Sequence, residues 1–402
     1  MTHADCPDRP LTDIADRPRS IRAGLVFDGR ADEPLPDHVV EIEAGRITAL
    51  RPARPGDPRP AAAILAPGFI DLQINGAADR QFNLDPTADT LARIAAGARA
   101  GGTAQLLPTF ITAPGQDYRR ALDAGRTAVE RGVPGVLGVH LEGPFLSPAR
   151  PGIHDAAAIR PLDAADVALL AAPFPGVLLV TLAPEGQDPA MIAALDRAGV
   201  ILFAGHSEAQ PGDLPPQIRG VTHLWNAMSQ LAGRAPGLVG AALQSDRLFA
   251  GLIADGHHVA WGNVAMAARL MADRLCLVTD AMLTLAGTTE EFTLSGRRIW
   301  LAEGRLTDAT GRLAGAHVAM DDCVRHMIRH AGVSPAAALR MASGNPARAL
   351  GLDGSLGRIA PGWRANLTLL DADHDATGVV VDGALFRRDQ PDDPSPVSPA
   401  AP

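Results

Sequence analysis

Short apolar runs alternate with longer stretches whose apolar residues recur at helical spacing, and this alternation fills the middle of the chain. Eight runs read as strands: 69–74, 103–107, 136–141, 177–182, 200–204, 220–222, 248–253 and 275–279. Stretches with the three-to-four-residue period of amphipathic helices separate most of them, as at 87–100, 116–131, 189–198 and 263–272. Strand–helix alternation over this length predicts a parallel α/β sheet, and eight repeats predict a closed (β/α)8 TIM-like barrel over residues 67–355. An open doubly wound sheet would carry the same pattern. Near the chain's ends the pattern changes to short β-like runs broken by turns, at 24–27, 38–50, 365–370 and 378–386. With a barrel between them, 19–66 and 356–388 are expected to meet in one small β-sandwich. A turn-rich β-like insertion at 284–315 and helices at 320–331 and 335–349 follow the eighth strand. Residues 1–18 and 389–402, rich in Pro, Asp and Ala, are expected to be mobile tails.

A chain of 402 residues suits one barrel of about 250 residues plus an accessory domain. Hydrophobic residues make up 47 % but aromatics only 4 %, so aliphatics and alanine must fill the core. All 36 basic residues are Arg, and there is no Lys. That excludes P-loop lysines, Schiff-base chemistry and a carboxylated lysine bridging two metals. The net charge of −9 argues against nonspecific binding to nucleic acid or anionic membrane, so an anionic substrate would need a local Arg or His pocket. Cys6, Cys276 and Cys323 are scattered and form no CxxC, which points to a reducing compartment without a disulfide framework. The acidic, Pro-containing N-terminus lacks the apolar core of a signal peptide, and no apolar run reaches the roughly 18 residues of a membrane span. A cytoplasmic location is expected.

Four segments put a metal-type or acid/base side chain just past a strand: HLEGP at 140–144, GHSEA at 205–209, THLWNAM at 222–228 and LVTDA at 277–281. In each the side chain is Glu142, His206, His223 or Asp280, and catalytic groups at the ends of several parallel strands are how a barrel builds an active site. His140 and Glu142 are two apart, so a strand points both to one face. Taken singly, Glu142 reads equally well as a helix cap, and a lone His is more often structural. Two His and a Glu ending three separate strands form the three-ligand, one-open-position pattern of a catalytic zinc site. Asp280 can serve as a fourth ligand, a general base, or both. His154, in PGIHD, can polarise a carbonyl beside such a site. Arg234 in AGRAPG and the pair His257–His258 in ADGHH suit an anionic group on the substrate.

The chain resembles the N-acetylglucosamine-6-phosphate deacetylases of the amidohydrolase superfamily. The resemblance runs through PGFIDLQINGA (67–77), HLEGPFLSPARPGIH (140–154), TLAPE (181–185), GHSEA, THLWNAMSQLAGRAPGLVGAAL (222–243), LIADGHHV (252–259), LVTDA and MASGNPARALGLDGSLGRIAPGWRANL (341–367). The HLEGP and THLWNAM blocks are specific, whereas the first and last mark only the wider superfamily. It implies that Glu142, His206 and His223 bind a catalytic divalent metal, that Asp280 is the acid/base, and that His154 contacts the acetamide carbonyl. It also implies a sugar-phosphate site at Asn226, Ala227, Arg234 and His258, shared across a homodimer interface. Many amidohydrolases carry HxH after the PGFID strand for a second metal. Gln73 and Asn75 stand there instead, and amides are poor zinc ligands, so one ion per subunit is expected. Zinc is the first choice, with Fe2+, Co2+ or Mn2+ as alternatives. The expected reaction is hydrolysis of N-acetylglucosamine 6-phosphate to glucosamine 6-phosphate and acetate. The rivals are deacetylation of another N-acetylhexosamine phosphate, such as the galactosamine analogue, and a non-catalytic barrel that binds a sugar phosphate.

Overall fold

A computed structural model describes residues 16–388. Its largest sheet has eight strands, all parallel, joined in chain order from Phe69–Ile74 through Thr103–Ile111, Gly138–Glu142, Val177–Leu182, Ile201–Ala204, Ile218–Val221 and Phe249–Leu252 to Leu275–Leu277. All eight strands expected from the apolar runs are present. The last strand returns to the first: Asp280 N donates to Gln73 O at 2.8 Å, Asn75 N donates to Ala281 O at 2.8 Å, and Ile74 bridges Ala281 in parallel. These contacts make the sheet a barrel rather than the open alternative. The first and third strands are buried at every position, as a barrel interior covered outside by helices requires. The helices include Ala88–Arg99, capped by the Thr87 side chain, and Tyr118–Glu130.

The two ends of the chain meet as expected. Ala62–Pro67 pairs with Ser20–Val26 on one side and with Leu367–Leu370 on the other, within a seven-stranded sheet that runs from Arg46–Pro52 to Ala384–Arg387. That sheet rolls over on itself, since Ile47 N donates to Trp363 O and Ala365 N to Gly45 O. The fold encloses its own apolar cluster of Ile21, Val40, Ile47, Leu65, Leu367 and Val380. Pairing starts earlier than the expected boundary at 19: Asp16 bridges Leu385, because the edge strand Ala384–Arg387 has an open side to fill. The rest of the expected tails, 1–15 and 389–402, lies outside the described residues, as does Cys6.

The insertion after the eighth strand is a four-stranded antiparallel sheet, Glu291–Leu294, Arg297–Ala302, Arg305–Asp308 and Leu313–Ala316. Its apolar face packs on Ile111, Ile153, Met282 and Leu283 at the barrel's C-terminal end. The expected helix 335–349 is two helices, Pro335–Ala342 and Gly344–Ala349. They break at Ser343, whose hydroxyl donates to Leu339 O at 2.6 Å and whose backbone leaves the helical region. Cys276 and Cys323 are buried free thiols. Among the described residues no helix is long and apolar enough to cross a membrane.

One polar knot outside the site carries weight. Asp166 is fully buried and accepts from Tyr118 Oη at 2.5 Å, Arg160 Nη2 at 2.8 Å and Asp163 N at 3.0 Å. Burial alone would raise its pKa, but Arg160 and Tyr118 outweigh that and hold it at about 2. An unfolded Asp titrates near about 4, so the stabilisation is complete above about pH 4 and is lost as pH falls through about 2. Asp166→Asn should therefore cost about 1–3 kcal/mol at pH 7, and the gap to the parent protein should close between about pH 4 and pH 2. Denaturant midpoints measured across that range check it; a gap independent of pH would mean the charge is not what stabilises.

Candidate active site

At the C-terminal end of the barrel a cavity of about 530 Å³ is lined by Glu142, His154, His206, His223, His258 and Asp280, with Asn75, Asn226 and Ala227. The strands deliver these groups. Glu142 is the last residue of the third strand, held in register with Ile111 and Thr181 on its neighbours. His206 and His223 each lie two residues beyond strands five and six, and Asp280 follows strand eight. The chain turns sharply at these exits. His206 (φ 49°), His223 (φ 31°), Trp225 (φ 77°), Ala227 (φ 46°) and Asp280 (φ 48°) all adopt left-handed backbone that non-glycine residues avoid. Five such residues in one site is strain stored where side chains are aimed.

Glu142 is the hub. Its Oε1 lies 2.9 Å from His223 Nε2 and 3.3 Å from His206 Nε2, and those two nitrogens are 3.1 Å apart. Donors that share one tetrahedral ion at about 2.0–2.1 Å stand roughly 3.3 Å from one another, so this triangle fits a single divalent ion. His154 Nε2 stands farther off, 3.7 Å from Glu142 Oε2. Glu142, His154 and His206 together also form a group compact enough to hold an ion. The hydrogen bonds separate the roles. His206 Nδ1 faces Arg150 O at 2.9 Å; a carbonyl only accepts, so Nδ1 carries the proton and Nε2 offers its lone pair. His154 is the reverse: its Nδ1 accepts from Thr112 N at 3.3 Å, so Nε2 carries the proton. His206 is thus set up as a ligand, and His154 as a hydrogen-bond donor.

Burial works to raise the Glu142 carboxyl, but the three imidazoles of His154, His206 and His223 outweigh it and hold it well below the usual range. Burial, with His154 adjacent, lowers His206 to about 4, which keeps it neutral. Burial and the negative Glu142 raise Asp280 to about 6.

Gln73 and Asn75 turn into the site and donate to carboxylates. His258 lines the cavity, its Nδ1 2.6 Å from Asp255 Oδ2, while His257 is exposed. Arg234 differs from expectation. It is exposed and is not among the cavity's lining residues, because the Ala232–Ala235 hairpin carries it outward. His140 differs in a smaller way: it shares Glu142's face but lies one layer lower, bound between Thr109 Oγ1 at 3.0 Å and Thr181 Oγ1 at 2.8 Å.

Three contributors escaped the sequence reading. Arg150 and Arg312 line the cavity, and Arg312 Nη1 ties the inserted sheet to Gly152 O at 2.8 Å, beside His154. Glu185, in TLAPE, accepts from Ser207 Oγ and Glu208 N, each at 2.7 Å, and so fixes the turn after His206. TLAPE and HLEGPFLSPARPGIH, which hold Glu185 and Arg150, were visible in the sequence; nothing local signalled Arg312.

The amidohydrolase family model matches residues 64–386. The chain is 35 % identical over 359 residues to an N-acetylgalactosamine-6-phosphate deacetylase of Escherichia coli O157:H7, covering 87 % of this chain and 95 % of that protein. It is 34 % identical over 326 residues to the N-acetylglucosamine-6-phosphate deacetylase of Haemophilus influenzae, covering 79 % and 85 %. Among solved structures it is similar to N-acetylglucosamine-6-phosphate deacetylase from Pasteurella multocida, with TM-score 0.87, 31 % identity and coverage of 92 % and 100 %. It is also similar to a mutant of the Mycobacterium smegmatis enzyme in complex with N-acetyl-D-glucosamine-6-phosphate, with TM-score 0.82, 31 % identity and coverage of 91 % and 98 %.

The donor triangle predicts one tightly held divalent ion per chain. Glu142→Ala should lose it, and elemental analysis of the purified variant measures this directly. Circular dichroism should remain native, since the ligands stand on the rim above an independently packed core. Two equivalents in the parent protein would contradict the single-ion reading.

Proposed function

Because the chain belongs to the amidohydrolase family, we propose that it hydrolyses the acetamide of N-acetyl-D-glucosamine 6-phosphate, yielding D-glucosamine 6-phosphate and acetate. The observation that carries this reading is the convergence of Glu142, His206, His223, His154 and Asp280 in one cavity, on a chain similar to deacetylases of amino-sugar phosphates. Glu142, His206 and His223 would hold the ion. Two imidazoles and a carboxylate suit Zn2+, and Fe2+, Co2+ and Mn2+ accept the same donors. When bound, the ion supplies Lewis acidity and lowers the pKa of a water towards neutrality.

The protein's own groups do the rest. Asp280 takes a proton from the attacking water and returns it to the leaving amine. His154 Nε2–H donates to the carbonyl oxygen as negative charge develops there. Asn226, Ala227 and His258 hold the sugar phosphate. Arg234, exposed and turned away from its own cavity, would serve the cavity of a second copy, which makes the working unit a homodimer. A reducing, cytoplasmic setting suits the free thiols. The similarity to a galactosamine-named relative supports one second reading, deacetylation of N-acetylgalactosamine 6-phosphate.

Acetate release from N-acetylated hexosamines of both epimers, with and without 6-phosphate, tests the reading; release only from unphosphorylated or unrelated amides would refute it. Asp280→Asn should keep its metal and lose about 10²–10⁴-fold in kcat. Arg234→Ala should lose about 10–100-fold in kcat/KM on the phosphorylated sugar and little on the unphosphorylated one. If Arg234 acts across a dimer, mixing Asp280→Asn and Arg234→Ala subunits should recover activity, because one site of each mixed dimer is then complete. No recovery on mixing would return Arg234 to its own chain.

A further inference from the structure

Two amide side chains meet Asp280 on one side only. Asn75 Nδ2 donates to Asp280 Oδ1 at 2.7 Å, and Gln73 Nε2 donates to the same Oδ1 at 3.1 Å. Gln73 Nε2 also donates to Glu142 Oε1 at 3.1 Å, so one NH2 group spans the two carboxylates. No hydrogen bond among the described residues falls on Asp280 Oδ2, and Asp280 lines the cavity. Both amides are almost fully buried, and their place is fixed by the barrel seam, where Asp280 N donates to Gln73 O and Asn75 N to Ala281 O. As a carboxylate Asp280 can only accept, which orients the Asn75 amide: its NH2 faces the carboxylate. Its Oδ1 is left buried without a partner, in a residue that lines the cavity.

We infer that Gln73 and Asn75 are positioning residues that tether Asp280 by Oδ1, leaving Oδ2 as the oxygen that moves the proton. The inference rests on the proposed proton-transfer role of Asp280 and goes further by assigning that role to one atom. In the first step the water O–H bond breaks and its proton passes to Oδ2, while the oxygen bonds to the acetyl carbon and the carbonyl π pair moves onto the carbonyl oxygen, facing His154 Nε2–H. In the second, that oxygen pair re-forms the C=O bond, the C–N bond breaks with its pair staying on nitrogen, and the proton leaves Oδ2 for the amine. A carboxylate free to turn would offer either oxygen at a variable distance; two N–H donors on one oxygen remove that freedom. The neutral Gln73 NH2 also stands between Glu142 and Asp280, where like charges in a buried site would otherwise face each other.

Three variants test this: Asn75→Leu, Gln73→Met and Asn75→Asp, each in the metal-loaded full-length protein. Metal content should stay at one equivalent. Crystal structures without substrate should show the Asp280 carboxylate rotated away from its parent orientation. On the substrate, kcat should fall about 10–100-fold, with KM changed by no more than about 2-fold, since binding groups are untouched. Asn75→Asp should be worse than Asn75→Leu, because it keeps the shape yet replaces a donor with a second carboxylate. A mere packing role predicts the opposite order. An unmoved Asp280 in both Asn75→Leu and Gln73→Met, or an Asn75→Asp variant that outperforms Asn75→Leu, would overturn the inference. The crystallographic arm decides even if the protein's substrate is another amide, so its failure and that of the proposed reaction can be told apart.

Discussion

Closure of the barrel between its first and eighth strands is the constraint from which the site follows. The seam is tied below the cavity as well as at its rim. Asp71, fully buried on strand one, accepts from Thr279 Oγ1 at 2.5 Å and Thr279 N at 3.3 Å, both just beyond strand eight. Burial pushes Asp71 up to about 7 in spite of these bonds. With the seam shut, residues 73 and 75 on one side and 280 on the other are obliged to face each other. An open sheet of the same strands would leave them at opposite edges, more than two hundred residues apart in sequence and without any reason to meet.

Beneath the cavity, the barrel is filled by polar groups that satisfy one another. Thr109, His140, Thr181 and Thr222 form a continuous chain of hydrogen bonds across the interior. Burial lowers His140 to about 4, so the chain is neutral. A neutral, fully paired layer costs little to bury. It gives the rim a rigid floor without adding a competing charge or metal ligand.

Much of this was legible in the amino-acid order. Each barrel strand is a short apolar run bounded by Gly, Pro or polar residues, and Glu142, His206, His223 and Asp280 each sit at or just past the end of one. Strand ends point the same way in a parallel barrel, so sequence position alone grouped Glu142, His206, His223 and Asp280. What escaped depended on loops. The direction in which the hairpin 232–235 carries Arg234 is a matter of local turn geometry, and no periodicity encodes it. Arg312 reaches the cavity only because an inserted sheet folds back over the barrel mouth, which is a tertiary event. The break at Ser343 was locally encoded, in the run Ser-Gly-Asn-Pro, but a helical period on both sides masked it.

The strand Ala62–Pro67 has partners from both ends of the chain: Ser20–Val26, made earlier, and Leu367–Leu370, made about three hundred residues later. The early strands can pair among themselves, but their sheet stays unfinished until Leu367–Leu370 is made. Every barrel strand emerges in that interval. Docking Leu367–Leu370 onto that waiting edge is a contact of very long range and correspondingly high entropic cost. A chain cut short before Leu367 would hold the barrel strands and leave the Ala62–Pro67 edge without that partner, the form most prone to join a neighbouring chain instead.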